Sequence, residues 1–380
     1  LEAITEQLSS LPFDPEIIED ILLANLADPL LLRLGRTMAL ELNVARLQGI
    51  LDGETSEERY QSFLALLHQP SHAIAMLAEY PVLACQLTIC IEQWVDVSLE
   101  FLQRLCSDWA QIQALFCPDE EPGVLVDLIG GAGDTHRQGR SVMIAEFESG
   151  FRVVYKPKSM AVDEHFQGLL AWVNRRGCHP SLRRLKILDR ETHGWVEHVQ
   201  YEGCETLDEV KRYYRRLGLY LALLYTINAS DFHLENLIAA GKQPVLIDLE
   251  TLFNPEFERF DSDDAETAAS KAMLQSVLVV AMLPQRLWTL GDYAGIDISG
   301  LGGEAGQLSP DRTPQPIDVG TDAMRYIRER LEIEGEANRP TIDGVESNAA
   351  DFVEEVVAGF SDMYRLLMDH RAELLADDGP

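Results

Sequence analysis

Residues 230–250 read SDFHLENLIAAGKQPVLIDLE. Asp231, His233, Glu235 and Asn236 fall within one turn of chain, and Asp248 and Glu250 follow an apolar run. The runs NLIAA and PVLIDLE on either side of GKQ predict two short strands joined by a turn. A strand that buries Val245 and Ile247 has little reason to end in D-L-E unless a cation or solvent compensates the charges. Taken one at a time, these residues have plainer roles: Ser230 or Asp231 capping a turn, Asn236 closing an Asx-turn, Asp248 ending a strand. Taken as an ordered set they point to chemistry.

Phosphoryl transfer from ATP needs a cation on the phosphates, Mg²⁺ held by oxygen ligands, and a carboxylate that orients the attacking hydroxyl. The catalytic loop of protein kinases sets its base Asp five residues before a metal-binding Asn, and a later hairpin delivers a second metal-binding Asp. Asp231 and Asn236 have that separation and Asp248 follows the PVLI strand. One carboxylate plus one amide oxygen suits Mg²⁺, which keeps several of its waters. Lys156 ends the strand FRVVYK, where a phosphate-pairing lysine belongs; alone it is equally a snorkelling surface residue. Glu164 is positioned to pair with it, although an exposed glutamate at a helix start explains that residue as well.

Working outward, SVMIAEF and FRVVYK read as a hairpin turning at Gly150, and DEHFQGLLAWVNRRG as a helix ending before Gly177. LRRLKILDR and GWVEHVQYE read as further strands. A long, largely buried helix, roughly 207–228, leads into the opening stretch. Beyond Asn254, ERFDSDDAET reads as an exposed loop, LGGEAG and its neighbours as glycine-rich chain, and NAADFVEEVVAGFSDMYRLLMDHRAELL as a closing helix. Residues 1–118 carry helical periodicity only and end in the Pro/Gly punctuation CPDEEPG. The expected fold is α+β: a two-lobed protein- or lipid-kinase-like core with an N-terminal all-helical extension. The expected divisions are 1–118, 119–205 and 206–380.

The chain has 380 residues, 46% of them hydrophobic, and a formal charge of -32 from 63 Asp and Glu against 31 Lys and Arg. That balance argues against nucleic acid or an anionic membrane as the main partner. The segment 137–190 reverses it, with eleven basic residues against five acidic ones, so an anion is expected to dock there. No uninterrupted apolar run reaches the roughly 18 residues of a membrane span; LQSVLVVAMLP stops at Pro284. The six cysteines form no C-x-x-C pair and read as reduced thiols of a cytoplasmic protein. The spacings of Cys178, His193, His198 and Cys204 do not match the short pairs of a zinc site. The chain begins with Leu1, which suggests an excised piece of something longer.

GAGDTHRQGR, residues 131–140, precedes the hairpin but is not a G-x-G-x-x-G phosphate loop. Asp134 and His136 pair a carboxylate with an imidazole near Arg137 and Arg140, which suits acid/base chemistry beside a phosphate; the plain alternative is a polar turn.

GDTHRQGRSV, SGFRVVYKPKS, SDFHLENLIA, PVLIDLETLF, GIDISGLGG and AGFSDMYRLLMDHRAELL together resemble the dehydratase domain of class II lanthipeptide synthetases, from about Gly123 onward. The N-terminal helices match loosely. The resemblance implies a kinase-like core, closest to lipid kinases. It implies that ATP and Mg²⁺ are used to phosphorylate Ser and Thr of a ribosomally made precursor peptide, followed by phosphate elimination to dehydroalanine or dehydrobutyrine. It further implies Lys156 on the phosphates, Asp231 orienting the substrate hydroxyl with His233 beside it, and Asn236, Asp248 and Glu250 at the metal. Asp134 and His136 match positions linked to elimination. The family's elimination Arg and Thr are expected beyond Pro380, and no counterpart of its zinc-dependent cyclase domain is present, so an internal fragment of a larger synthetase is expected. Two other readings stay open: a kinase of a small molecule, lipid or sugar without elimination, and a catalytically idle kinase-like binding domain.

Overall fold

The computed structural model describes residues 12–131, 133, 138–254, 264–287, 295–333, 335 and 337–376. The architecture is mixed α+β, with a helical N-terminal segment and a core of sheet and helices. The chain divides into two compact units: Leu1–Ser159 with Leu188–His198 and Arg312–Glu329, and Met160–Ile187 with Val199–Asp311 and Arg330–Pro380.

The first unit opens with four helices, α1 (Ile18–Gln48), α2 (Ser56–Leu67), α3 (Pro70–Glu79) and α4 (Pro81–Phe116). Their limits follow local chemistry. Gly49 closes α1 with φ +70, a left-handed conformation that glycine adopts without strain. Thr55 and Glu58 form a reciprocal capping box on α2, and prolines occupy the first positions of α3 and α4. Strands β1 (Leu125–Ile129), β2 (Met143–Phe147), β3 (Arg152–Lys156), β4 (Ile187–Asp189) and β5 (Gly194–Glu197) form a sheet in the order β1-β2-β3-β5-β4. The β2–β3 turn falls at Gly150, φ +83, as expected. In place of the two longer strands read from 182–202, β4 and β5 hold only three and four residues.

Met143, Ala145 and Phe147 alternate inward and meet Phe101, Leu102, Leu105 and Ile112 of α4. By length and composition α4 is the one helix among the described residues able to cross a membrane. No uninterrupted apolar run marks it in the sequence, because Glu92 and Asp96 interrupt its apolar stretch. The same helix buries its second half against the sheet.

In the second unit α5 (Ala161–Arg175) precedes α6 (Leu207–Thr226), which is capped by Thr206 and buried almost continuously from Tyr213 to Leu224. A 3₁₀ turn, Ala349–Phe352, leads into α8 (Val353–Asp369), and the helix is interrupted at His370 before α9 (Arg371–Leu374). α7 covers Ala265–Leu274, so the expected acidic loop gives way to helix from Ala265; residues 255–263 lie outside the described residues. α6 and α8 pack at backbone contact. A Cβ on Gly218 would stand 2.0 Å from the Val356 carbonyl oxygen, and one on Gly359 2.0 Å from that of Arg215. Two antiparallel hairpins, β6 (Leu237–Ala240) with β7 (Gln243–Leu246) and β10 (Thr341–Ile342) with β11 (Val345–Glu346), complete the unit.

A further two-stranded ribbon, β8 (Gln307–Ile317) with β9 (Arg325–Ile333), was not anticipated; its distal part, Arg312–Glu329, belongs to the first unit.

Candidate active site

In the second unit α6 delivers the chain to Ser230, and the loop that follows is zipped to the stretch beyond Asp248. Ser230 N–H donates to the Thr251 carbonyl at 3.1 Å, Thr251 Oγ1 donates back to the Ser230 carbonyl, and Asn254 N–H donates to the Asn228 carbonyl at 3.1 Å. Asn254 Nδ2 adds a bond to Ser230 Oγ at 2.9 Å. Asp231 then takes φ +67, a left-handed conformation that costs an ordinary L-residue free energy and that Asp and Asn tolerate best.

From Asp231 onward the chain alternates. Phe232, Leu234 and Leu237 are buried, Asp231 and Glu235 are exposed, and His233 and Asn236 are half-buried. The apolar residues anchor the loop and the polar ones line its open side. Asn236 Nδ2 donates to the Asp231 carbonyl at 2.8 Å and lies 3.2 Å from His233 Nε2, while His233 Nε2 sits 3.9 Å from Asp231 Oδ1. His233 Nδ1 faces the Glu235 N–H at 3.3 Å. A neutral imidazole accepts at one nitrogen only, so the ring satisfies Glu235 or Asn236 but not both.

The β6–β7 hairpin sets the other half of this cluster. Its register, Leu237 opposite Leu246 and Ala240 opposite Gln243, needs a two-residue turn at Gly241 (φ +57) and Lys242, so Gln243 joins the strand. Ile247 N–H then donates to the Asn236 carbonyl at 3.1 Å, which brings Asp248 beside the loop. Asp248 is half-buried, and its Oδ1 accepts from the Glu250 N–H at 3.3 Å. Asp231, His233, Asn236, Asp248 and Glu250 therefore belong to one folded element.

Residues 296–303 brace that element. Leu234 N–H donates to the Ile298 carbonyl at 3.1 Å, Ser299 bridges to His233, and Phe232 N–H donates to the Val280 carbonyl at 3.0 Å. A Cβ on Gly300 would stand 2.6 Å from the Phe232 carbonyl oxygen, and Asn338 Nδ2 donates to the Gly300 and Gly302 carbonyls, each at 3.0 Å. Asp297 turns this segment by accepting from Ser299 N–H at 3.0 Å and from its hydroxyl at 2.7 Å. These supporting residues were not singled out from sequence; the glycines of GIDISGLGG were the available signal.

Lys156 belongs to the first unit. It ends β3 opposite Gly194, and is 7% exposed. A lysine brought to that depth keeps its charge only where anions or acceptors face it. Beside it, burial pushes the Tyr155 hydroxyl up to about 12, against the opposing pull of Arg104, which donates to it at 2.5 Å. Glu100 of α4 is held below the usual carboxylate range chiefly by Arg140, paired with it at 2.5 Å. Arg140 ends the GAGDTHRQGR segment; Asp134 and His136 lie outside the described residues. Glu164 is exposed in the first turn of α5.

Among the described residues no three His, Cys, Asp or Glu side chains gather as a metal centre, so Cys178, His193, His198 and Cys204 form no such cluster. A magnesium ion asks for less from protein. With the Asn236 amide nitrogen committed to the Asp231 carbonyl, its Oδ1 is the atom left to face a cation, and the Asp248 and Glu250 carboxylates are hard oxygen donors of the right class.

The family model described as "Domain of unknown function (DUF4135)" matches residues 80–380. A Lactococcus lactis subsp. lactis protein, named lacticin 481/lactococcin biosynthesis protein LcnDR2, is 25% identical over 355 residues, 90% of this chain and 38% of that protein. The chain thus spans well under half the length of this relative.

Proposed function

We propose, from the premise that this chain belongs to the DUF4135 family, that it is the dehydratase part of a class II lanthipeptide synthetase with a kinase-like core. It transfers phosphate from ATP to Ser and Thr of a ribosomally made precursor peptide and then eliminates that phosphate. The relative's name, a biosynthesis protein of lacticin 481 and lactococcin, supports the substrate class. The observation that carries the reading is the loop in which Asn236 donates to the Asp231 carbonyl while accepting from Ile247. It joins a hydroxyl-orienting carboxylate to the oxygen donors that phosphoryl transfer requires.

In this reading the Asp231 carboxylate accepts the proton of a substrate hydroxyl as that oxygen bonds to the γ-phosphorus and the bond from phosphorus to ADP breaks. Its exposed side chain is accessible to a peptide. His233 stands beside it, Nε2 3.9 Å from Asp231 Oδ1. Asn236, Asp248 and Glu250 are the residues that would hold magnesium, which when bound would neutralise charge on the phosphates. Lys156 pairs with the phosphates. In the second half-reaction Asp134 and His136 move the protons: the α-proton leaves, a Cα=Cβ double bond forms, and the Cβ–O bond breaks with release of phosphate.

We extend the reading to a cytoplasmic, reducing setting, which six free cysteines support, and to a cyclase domain elsewhere in the full-length chain. We also carry forward the division into a helical region, 1–118, and two lobes, 119–205 and 206–380. The test is intact-mass analysis of the precursor peptide from the same gene cluster after incubation with the chain and Mg-ATP. A phosphate adduct or loss of water supports the reading. An unchanged peptide mass together with phosphorylation of a small molecule by the same preparation overturns it.

A further inference from the structure

Asp108 lies on the second half of α4 and is 0% exposed. Its Oδ2 accepts from His193 Nε2 at 2.8 Å and from Trp195 Nε1 at 2.9 Å, and its Oδ1 meets Arg190 Nε at 2.9 Å and Ser107 Oγ at 3.2 Å. With the His193 proton on Nε2, Nδ1 is left to accept from Thr192 Oγ1 at 3.2 Å. One buried carboxylate thus gathers three side chains from the short segment 190–195.

Residues 193 and 195 flank Gly194, and Gly194 is the cross-strand partner of Lys156. Side chains alternate along a strand, so His193 and Trp195 reach toward α4 on one face while positions 194 and 156 take the other. Tyr155 shares the α4 face with Trp195, their rings 5.1 Å apart, and is tied to Arg104, one helical turn before Asp108. Glycine at 194 places no side chain beside the lysine stem. The backbone that sets the depth and direction of Lys156 is therefore gripped from behind by α4.

We infer that Asp108 is a positioning residue for Lys156: by holding His193 and Trp195 it fixes β5, and through the β3–β5 ladder it sets the lysine that engages the nucleotide phosphates. The inference rests on the phosphate role proposed for Lys156. A helix that carries no chemistry of its own thereby becomes part of nucleotide recognition. Removing the carboxylate leaves Trp195 and His193 donors buried without an acceptor, which costs more than the bonds themselves contribute.

The experiment compares the affinity of the chain for ATP and for adenosine by titration calorimetry, both with magnesium present, since only the phosphates sense Lys156. Asp108→Asn is expected to lower ATP affinity about tenfold and leave adenosine affinity unchanged, and Lys156→Met is expected to lower ATP affinity by a smaller factor in the Asp108→Asn background than in the unmutated chain. If Asp108→Asn does not fold, Arg190→Gln, which removes an outer partner of the same carboxylate, is expected to shift ATP affinity in the same direction by a smaller factor, again without changing adenosine affinity. Equal losses for ATP and adenosine, or fully additive losses with Lys156→Met, overturn the inference and leave the role of Lys156 intact. An unmutated chain with no preference for ATP over adenosine overturns the phosphate role itself, and the inference with it.

Discussion

The Asn236 side chain donates to the main-chain carbonyl of Asp231 across 2.8 Å, and this bond joins the two ends of the D-x-x-x-x-N loop. It fixes a residue whose φ of +67 would otherwise be costly, and it commits the Asn236 amide nitrogen, so that the amide oxygen is the acceptor left on that side chain. In the proposed function, geometry at one position is thereby tied to magnesium binding at the other.

Asp231→Asn should abolish phosphoryl transfer without unfolding the loop. Asparagine tolerates the left-handed conformation and keeps an oxygen, but it takes up no proton; the expected loss in rate is about a hundred- to ten-thousand-fold. Because the side chain is 60% exposed, the thermal midpoint should stay put. A parallel fall in rate and midpoint would assign Asp231 to structure alone.

Asn236→Asp separates two roles of one side chain. The variant keeps an oxygen for a cation and loses the N–H that holds the Asp231 carbonyl. Activity is expected to fall and to be partly restored by raising magnesium, whereas Asn236→Ala should not respond. A magnesium titration of both variants decides it.

Gly300→Ala should damage the loop from behind. The added Cβ would stand 2.6 Å from the Phe232 carbonyl oxygen, a backbone atom that cannot swing aside. The expected cost is about 1 to 3 kcal/mol, with lowered activity. Gly359→Ala, where the Cβ would stand 2.0 Å from the Arg215 carbonyl, should cost about 3 kcal/mol or more by prising α8 from α6. Denaturant unfolding measures both, and a neutral Gly359→Ala would contradict the close helix contact.

Burial lowers the pKa of His193, against the opposing bond from Asp108, and burial likewise lowers that of His198. Both groups therefore bind protons more readily when unfolded. The stability they contribute is fully present above the unfolded value of 6.5 and is lost as pH falls from there through the folded values. Thermal midpoints are expected to decline on acidification below 6.5, and His193→Gln should flatten the slope. A midpoint independent of pH in that window would contradict a neutral, buried His193.

The gathering of Asp231, Asn236 and Asp248 on one loop and hairpin was legible because those residues lie in a short, ordered stretch, and the place of Lys156 at a strand end was legible from the hairpin pattern before it. The hairpin turn was misjudged by one residue, since the two-residue turn at Gly241 and Lys242 returns Gln243 to the ladder. Strand β8 was hidden by Pro310, Pro314 and Pro316, residues admitted there because the two-stranded ribbon leaves one side of β8 without a partner strand. Asp108 gave no local signal. On an amphipathic helix it passes for one more solvated acid, and its partner His193 is 85 residues away. Polar contacts between distant segments leave no periodicity to read.

Single-turnover transfer of labelled γ-phosphate from Mg-ATP to the precursor peptide is the direct test of whether Asp231 and Asn236 form a phosphoryl-transfer loop that acts on a peptide. Label is expected on peptide Ser or Thr with the unmutated chain and almost none with Asp231→Asn. Equal labelling by the two proteins would contradict it.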